Sequence, residues 1–313
     1  MKQSKNRLRS AARSAHRRIV GAAGRRALAR LCSKGFPVVL RAPTEFLFTG
    51  AAPLQASQIA DRIEALRVEL IRAGNQIVSV YPSPEPQPEG SGQTDQKRPI
   101  PGAIDRSTLA YIAEVASISR YWGSFLHLCA SSAQARTILE LGGCAGISGS
   151  YLASAPLCQR FVTVEGSPDL AKLAGRHINQ VAAGQCEVRN ALFDDALDAL
   201  LPGFGTALDF AYIDGQHERA ATIHYLKRIT PALHPGSIVI FDDVMWSRDM
   251  ESAWQEISAT DGVSAAVLLG RLGVIVWGLA GDKADHYDLS RFTAEWKRGR
   301  LSAEQWREAK THA

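Results

Sequence analysis

Four short segments of this chain place reactive or ligand-holding residue types directly after apolar runs. The first is Glu140-Leu141-Gly142-Gly143-Cys144-Ala145-Gly146-Ile147-Ser148. Gly142 and Gly146 allow a tight backbone turn and close approach of a ligand, because no Cβ stands in the way. The second is Val162-Thr163-Val164-Glu165, a strand-like run ending in a carboxylate. An acid at that place can accept hydrogen bonds from both hydroxyls of a ribose. The third, Tyr212-Ile213-Asp214-Gly215-Gln216-His217, ends in a carboxylate followed three residues later by an imidazole able to act as a base near neutral pH. The fourth, Ile240-Phe241-Asp242-Asp243, ends in paired carboxylates. Acids converging on one edge repel one another unless a cation, hydrogen-bond donors or solvent offset them. A hard divalent cation with oxygen ligands is the simplest of these solutions.

The elements that must position these groups are legible from apolar patterning. Strands are expected at Thr137 to Leu141, Phe161 to Val164, Gln185 to Val188, Leu208 to Ile213 and Ser237 to Phe241, with helical segments between them. Apolar strands alternating with helices indicate a parallel sheet covered on both faces. Ala265 to Leu269 and Val274 to Gly278 form a final hairpin around Gly270 to Gly273. The expected fold is a doubly wound α/β, mostly parallel, seven-stranded Rossmann-like sheet with that terminal antiparallel hairpin and an N-terminal helical extension. In such sheets ligands lie beyond the carboxyl ends of the strands, which is where all four segments fall.

The ExGxxxG spacing of the first segment is not the GxGxxG of dinucleotide binders. Taken in order, the four segments resemble those of class I S-adenosylmethionine-dependent methyltransferases, in particular the catechol and caffeoyl-CoA O-methyltransferase type and a related bacterial family with an Asp-Gly-x-His signature. The resemblance covers about Asp105 to Gly281. It implies that Glu140, Gly142, Gly143, Gly146 and Ser148 line the methionine part of S-adenosyl-L-methionine, that Glu165 holds the ribose, and that Asn190 and Ala191 lie near the adenine. It also implies that Asp214, Asp242 and Asp243 stand at the positions of ligands to Mg²⁺ or another divalent cation. His217 stands where the metal-dependent branch commonly has a lysine base, and the resemblance makes His217 and Asp214 the expected catalytic residues. The implied reaction is methyl transfer to a hydroxyl oxygen of a small molecule. N- or RNA-directed methylation, or a non-catalytic cofactor-binding protein of the same fold, are the alternatives. No Asp/Asn-Pro-Pro-Tyr-like motif and no base-stacking module speak for the first of these.

The remainder of the chain sets the context. Its 313 residues, 46% hydrophobic, suffice for one sizeable α/β core with extensions. No apolar run reaches the roughly 18 residues of a membrane span. The five cysteines, Cys32, Cys129, Cys144, Cys158 and Cys186, form no CxxC pair, which argues against a zinc site or disulfide framework. Met1 to Thr44 holds 12 of the 36 basic residues and none of the 31 acids, so the body is mildly acidic beneath a net charge of +5. This stretch has the composition of a mitochondrial transit peptide or of an arm touching an anionic surface. A cytoplasmic location is the first expectation and mitochondrial import the alternative; a homodimer is compatible with either. The organisation expected is a basic arm (1–44), a helical segment (45–81) with its helix at Gln55 to Ala73, a Pro/Gly-rich linker (82–103), the methyltransferase domain (104–281) opening on a helical region from Asp105, and a helical tail (282–313) docking through Trp296 and Trp306. Among the remaining histidines, His127 is expected to pack and His224 and His234 to face solvent. Trp246 either walls a substrate pocket or packs.

Overall fold

In a computed structural model, residues 20–80, 105–278 and 284–293 are described. Trp296 and Trp306 of the tail, and the whole of the Pro/Gly-rich linker, lie outside them. Residues 20–32 are helical (α1), followed by α2 (Val38–Thr49) and α3 (Leu54–Ala73). α2 ends at Gly50, whose φ of 70° lets its N–H turn back to the Phe46 carbonyl. The basic stretch is therefore not a free arm over its second half. Leu28, Phe36 and Leu40 are buried, and an added Cβ on Gly21 would lie 2.1 Å from the Phe48 carbonyl oxygen. The arginines ride on the outer face of a helix whose apolar residues are docked.

A second correction concerns Asp105. In place of a helix start, Asp105–Thr108 is a strand (β2) paired antiparallel with β1 (Ile77–Val80), so the two ends of the linker meet. The helical region opens only after Thr108, whose side chain caps it by accepting from the Tyr111 N–H. A short helix α4 (Leu109–Tyr111) and a π turn lead to α5 (Arg120–Ser132).

The main sheet then builds in alternation: β3 (Thr137–Leu141), α6 (Ile147–Ala153), β4 (Arg160–Glu165), α7 (Pro168–Ile178), β5 (Gln185–Asn190), α8 (Phe193–Leu200), β6 (Leu208–Ile213), α9 (Arg219–Ile229), β7 (Leu233–Phe241), α10 (Arg248–Ser258), β8 (Val263–Leu268), β9 (Gly273–Trp277) and β10 (Asp285–Asp288). The spatial order is β10-β8-β9-β7-β6-β3-β4-β5. β3 to β7 pair in parallel, and β9 runs antiparallel to both β7 and β8. Among the described residues the sheet has eight strands, one more than expected. The extra strand, β10, pairs in parallel with β8 at the edge. Its sequence, Asp-His-Tyr-Asp, carries no apolar alternation, because an edge strand buries little and is held by backbone pairing.

Side chains alternate across the central strands. Ile138, Phe161, Phe210, Tyr212 and Ile240 pack on the side of α5, α6 and α7. Leu139, Leu141, Val162, Val164, Ile213 and Phe241 pack on the side of α8, α9 and α10. The chain order reverses between β3 and β6, so the crevice of a doubly wound sheet opens there, between the loops after Leu141 and Ile213. Among the described residues, no helix is long and apolar enough to cross a membrane.

Candidate active site

The glycine loop and the Asp214 loop close on each other at this crevice. Asp214 N–H donates to the Leu141 carbonyl at 2.8 Å, and the Gly142 and Gly143 N–H groups donate to Val164 at 2.9 and 3.1 Å. Gly142 has φ +99°, and an added Cβ would lie 1.7 Å from the Asp214 carbonyl oxygen. At Gly146, φ +83°, it would lie 2.6 Å from Cα of Ala174 on α7. Both glycines are thus required by contacts of the chain with itself. At Gly143 the added atom would meet the Thr163 hydroxyl at 2.4 Å.

Glu165, at the end of β4, is buried and held by backbone. Its Oε2 accepts from Cys144 N–H and its Oε1 from Ser167 N–H, each at 2.8 Å. Burial pushes its pKa up, against the pull of the surrounding backbone N–H groups. These bonds leave acceptor capacity on a carboxylate fixed in place, which suits a diol. Asn190 Nδ2 donates to the carbonyls of Glu165 and Gly166 at 2.9 Å, tying the end of β5 to this loop; Ala191 follows it. Glu140 is fully buried on β3. The hydroxyls of Thr163 and Ser148 lie close enough to favour its charged form, but neither carboxyl oxygen has a hydrogen bond of good geometry. Desolvation therefore dominates and pushes its pKa up to about 7. Ser148 is buried on α6 beside it.

At the ends of β6 and β7 the three acids do converge, as expected, but their charge is offset by protein groups. Arg271 grips Asp242 bidentately, Nε to Oδ1 at 2.5 Å and Nη2 to Oδ2 at 2.7 Å, and its Nε lies 3.2 Å from Asp243 Oδ1. Tyr212 donates its hydroxyl to Asp242 Oδ2 at 2.5 Å and lies 3.2 Å from Asp214 Oδ2. Asp243 N–H donates to Asp242 Oδ1 at 2.7 Å. Burial works against the charge of Asp242, yet the Arg271 guanidinium and these bonds hold its pKa below the usual carboxylate range. Burial and then the Asp242 charge push Asp214 well above that range.

A carboxylate offers about four acceptor sites, and Asp242 accepts four hydrogen bonds. It has no lone pair left for a metal. Among the described residues no group of three His, Cys, Asp or Glu side chains is arranged to hold a metal ion. The residues thus do not fit the divalent site expected of Asp214, Asp242 and Asp243. Arg271 and Tyr212 escaped notice in the sequence, the one because it lies in a hairpin turn, the other because it sits in an apolar strand.

His217 Nε2 stands 3.6 Å from Asp214 Oδ1, inside ion-pair range but too long for a hydrogen bond. Its ring lies 6.5 Å from that of Trp246, so Trp246 borders the site. Among the described residues, five non-glycine positions have positive φ, and four of them are at this edge: Cys144, Gln216, His217 and Asp243. Such backbone is costly and clusters where geometry serves a site. Gln216 is tied down by the Tyr225 hydroxyl, which donates to its Oε1 at 2.6 Å. Three other histidines lie elsewhere. His127 is buried between Tyr151 and Ser154, His224 pairs with Asp194, and His234 pairs with Asp209.

Residues 139–244 match a family model described as a methyltransferase domain. The strand order and the alternation with helices are those of a Rossmann-like α/β methyltransferase fold. Among curated proteins, the chain is 30% identical over 131 residues to a catechol O-methyltransferase of Niastella koreensis, covering 41% of this chain and 58% of that one. It is 30% identical over 147 residues to the catechol O-methyltransferase of Mycobacterium tuberculosis, covering 47% and 64%. The chain thus spans less than two thirds of either relative. A crystal structure of an O-methyltransferase from Bacillus cereus in complex with SAH aligns with 25% identity and a TM-score of 0.45, over 52% of this chain and 83% of that one.

Proposed function

We propose that this protein transfers a methyl group from S-adenosyl-L-methionine to a hydroxyl oxygen of a small molecule. The observation that carries the reading is the adjacency of two sites across the crevice. A backbone-held Glu165 beside the glycine loop suits a nucleoside diol, and the loop after β6 presents His217 and Asp214 next to it. The names of the two curated relatives agree with oxygen as the acceptor.

The bound sulfonium supplies an electrophilic methyl carbon. His217 takes the proton of the acceptor hydroxyl as the O–C bond forms and the S–C bond breaks, with the electron pair returning to sulfur. The products are a methyl ether and S-adenosylhomocysteine. Asp214 Oδ1 stands 3.6 Å from His217 Nε2 and borders the base. Trp246 gives the acceptor an aromatic wall. Holding oxygen and methyl at attack distance supplies much of the remaining acceleration.

Calorimetry with S-adenosylhomocysteine tests the cofactor half, with wild type and Glu165→Ala compared. Binding by the wild type and weaker binding by the variant are expected; no binding by the wild type would refute the reading. Transfer of a labelled methyl group to a panel of phenols and sugars tests the acceptor half.

A further inference from the structure

The tip of the β8–β9 hairpin reaches the ends of β6 and β7. Gly270, with φ +84°, and Arg271 are the two central residues of the turn, closed by the Leu269 N–H donating to the Leu272 carbonyl at 2.9 Å. The Arg271 carbonyl accepts from Val244 N–H at 3.0 Å, which ties the turn to the loop carrying Asp242 and Asp243. The backbone therefore fixes where this side chain starts, and the guanidinium then meets the Asp242 carboxylate edge to edge through two hydrogen bonds.

We propose that Arg271 is a resident substitute for a divalent cation at this strand edge, and that the site works without metal. The proposal rests on the methyltransfer reading for its functional meaning, but the charge argument stands on geometry alone. A guanidinium is always protonated, and its planar fork matches a carboxylate with two parallel hydrogen bonds. It also approaches Asp243, so one cation serves both members of the acid pair. Tyr212 bridges the third acid, Asp214, to the same carboxylate. With the four acceptor directions of Asp242 spent, a Mg²⁺ or Mn²⁺ ion would have to displace the arginine to gain its central ligand. The Arg271 side chain as a whole is about a quarter exposed (28%), while its guanidinium is turned in to the acids. Arg271 is thus a positioning residue for the acid cluster.

The test is a Mn²⁺ titration followed by electron paramagnetic resonance, which reads the metal directly and needs no turnover. The wild type should leave the free Mn²⁺ signal unchanged into the millimolar range. Arg271→Ala removes the resident charge from three acids and should bind Mn²⁺ more than about tenfold tighter than the wild type. That binding should vanish in Arg271→Ala/Asp242→Asn. Stoichiometric Mn²⁺ binding by the wild type that is lost in Asp242→Asn would overturn the proposal. So would a folded Arg271→Ala that gains no Mn²⁺ binding. If Arg271→Ala does not fold, the wild-type and Asp242→Asn titrations still decide. S-adenosylhomocysteine calorimetry on the same samples separates the two ideas, since its failure would remove the methyltransfer reading and leave the Mn²⁺ result standing.

Discussion

Replacing Glu140 by glutamine should make the protein more stable at alkaline pH and change the shape of its pH–stability curve. The carboxyl is fully buried on β3, and its oxygens lack hydrogen bonds of good geometry. Burial raises its pKa from the ordinary 4.5 to about 7 in the folded chain. The folded state therefore holds this proton more tightly than the unfolded state. The associated stability is fully present below pH 4.5 and is lost progressively as pH rises through about 7. At about 1.4 kcal/mol per pH unit, the difference amounts to roughly 3 kcal/mol by pH 8. Glutamine has a similar shape and no charge to desolvate, so Glu140→Gln should lack this loss. The assay is urea unfolding of ligand-free protein at pH 5 and pH 8. The variant's advantage should grow by about 2.5 kcal/mol between the two, because part of the loss has already occurred at pH 5, or roughly 5–10 °C in melting temperature for a domain of this size. Parallel curves for the two proteins would refute the argument that an uncompensated buried carboxyl sits at Glu140.

Other variants probe the rest of the site. Gly142→Ala forces a methyl group to within 1.7 Å of the Asp214 carbonyl at φ +99°; it should cost more than about 3 kcal/mol of stability, read by denaturant titration, and remove cofactor binding. Glu165→Ala should weaken S-adenosylhomocysteine binding by about 1.5–3 kcal/mol in calorimetry, the range for hydrogen bonds to a charged group. His217→Ala should lower the methyl-transfer rate about 10²–10⁴-fold with little change in cofactor affinity, if it is the base. Deletion of residues 1–19, which leaves the described helical residues around the buried Leu28 in place, should leave turnover on a soluble acceptor unchanged, whereas deletion through Lys34 should destabilise the fold.

What could be read from the sequence divides along a physical line. The central strands were legible because each is an apolar run that must be covered on both faces, and the places where polar groups interrupt them mark the working edge. Leu208 to Ile213 and Thr137 to Leu141 were located to the residue. Elements held by backbone pairing rather than burial left no such mark: β10 is almost wholly polar, and β1 with β2 is joined across a linker whose composition says nothing of its ends meeting. In the first 44 residues the arginines dominated the composition and concealed the spacing of Leu28, Phe36 and Leu40, which dock the segment.

The acid cluster shows the same division more sharply. That Asp214, Asp242 and Asp243 would share one edge followed from strand order, and so did the need to offset their charge. Which means of compensation the protein uses did not follow, because the deciding residue lies 29 positions beyond Asp242, in the turn of a separate hairpin. A basic residue in an exposed-looking turn carries no local signature of burial. Only the antiparallel register of β9 against β7, Phe241 opposite Gly273, brings that turn over the strand ends. The hairpin is thus more than a closing element of the sheet. By fixing Arg271 through backbone bonds at both Leu269 and Val244, it commits the edge to a guanidinium, and with that to the hydrogen-bonding of a carboxylate rather than the coordination sphere of a metal.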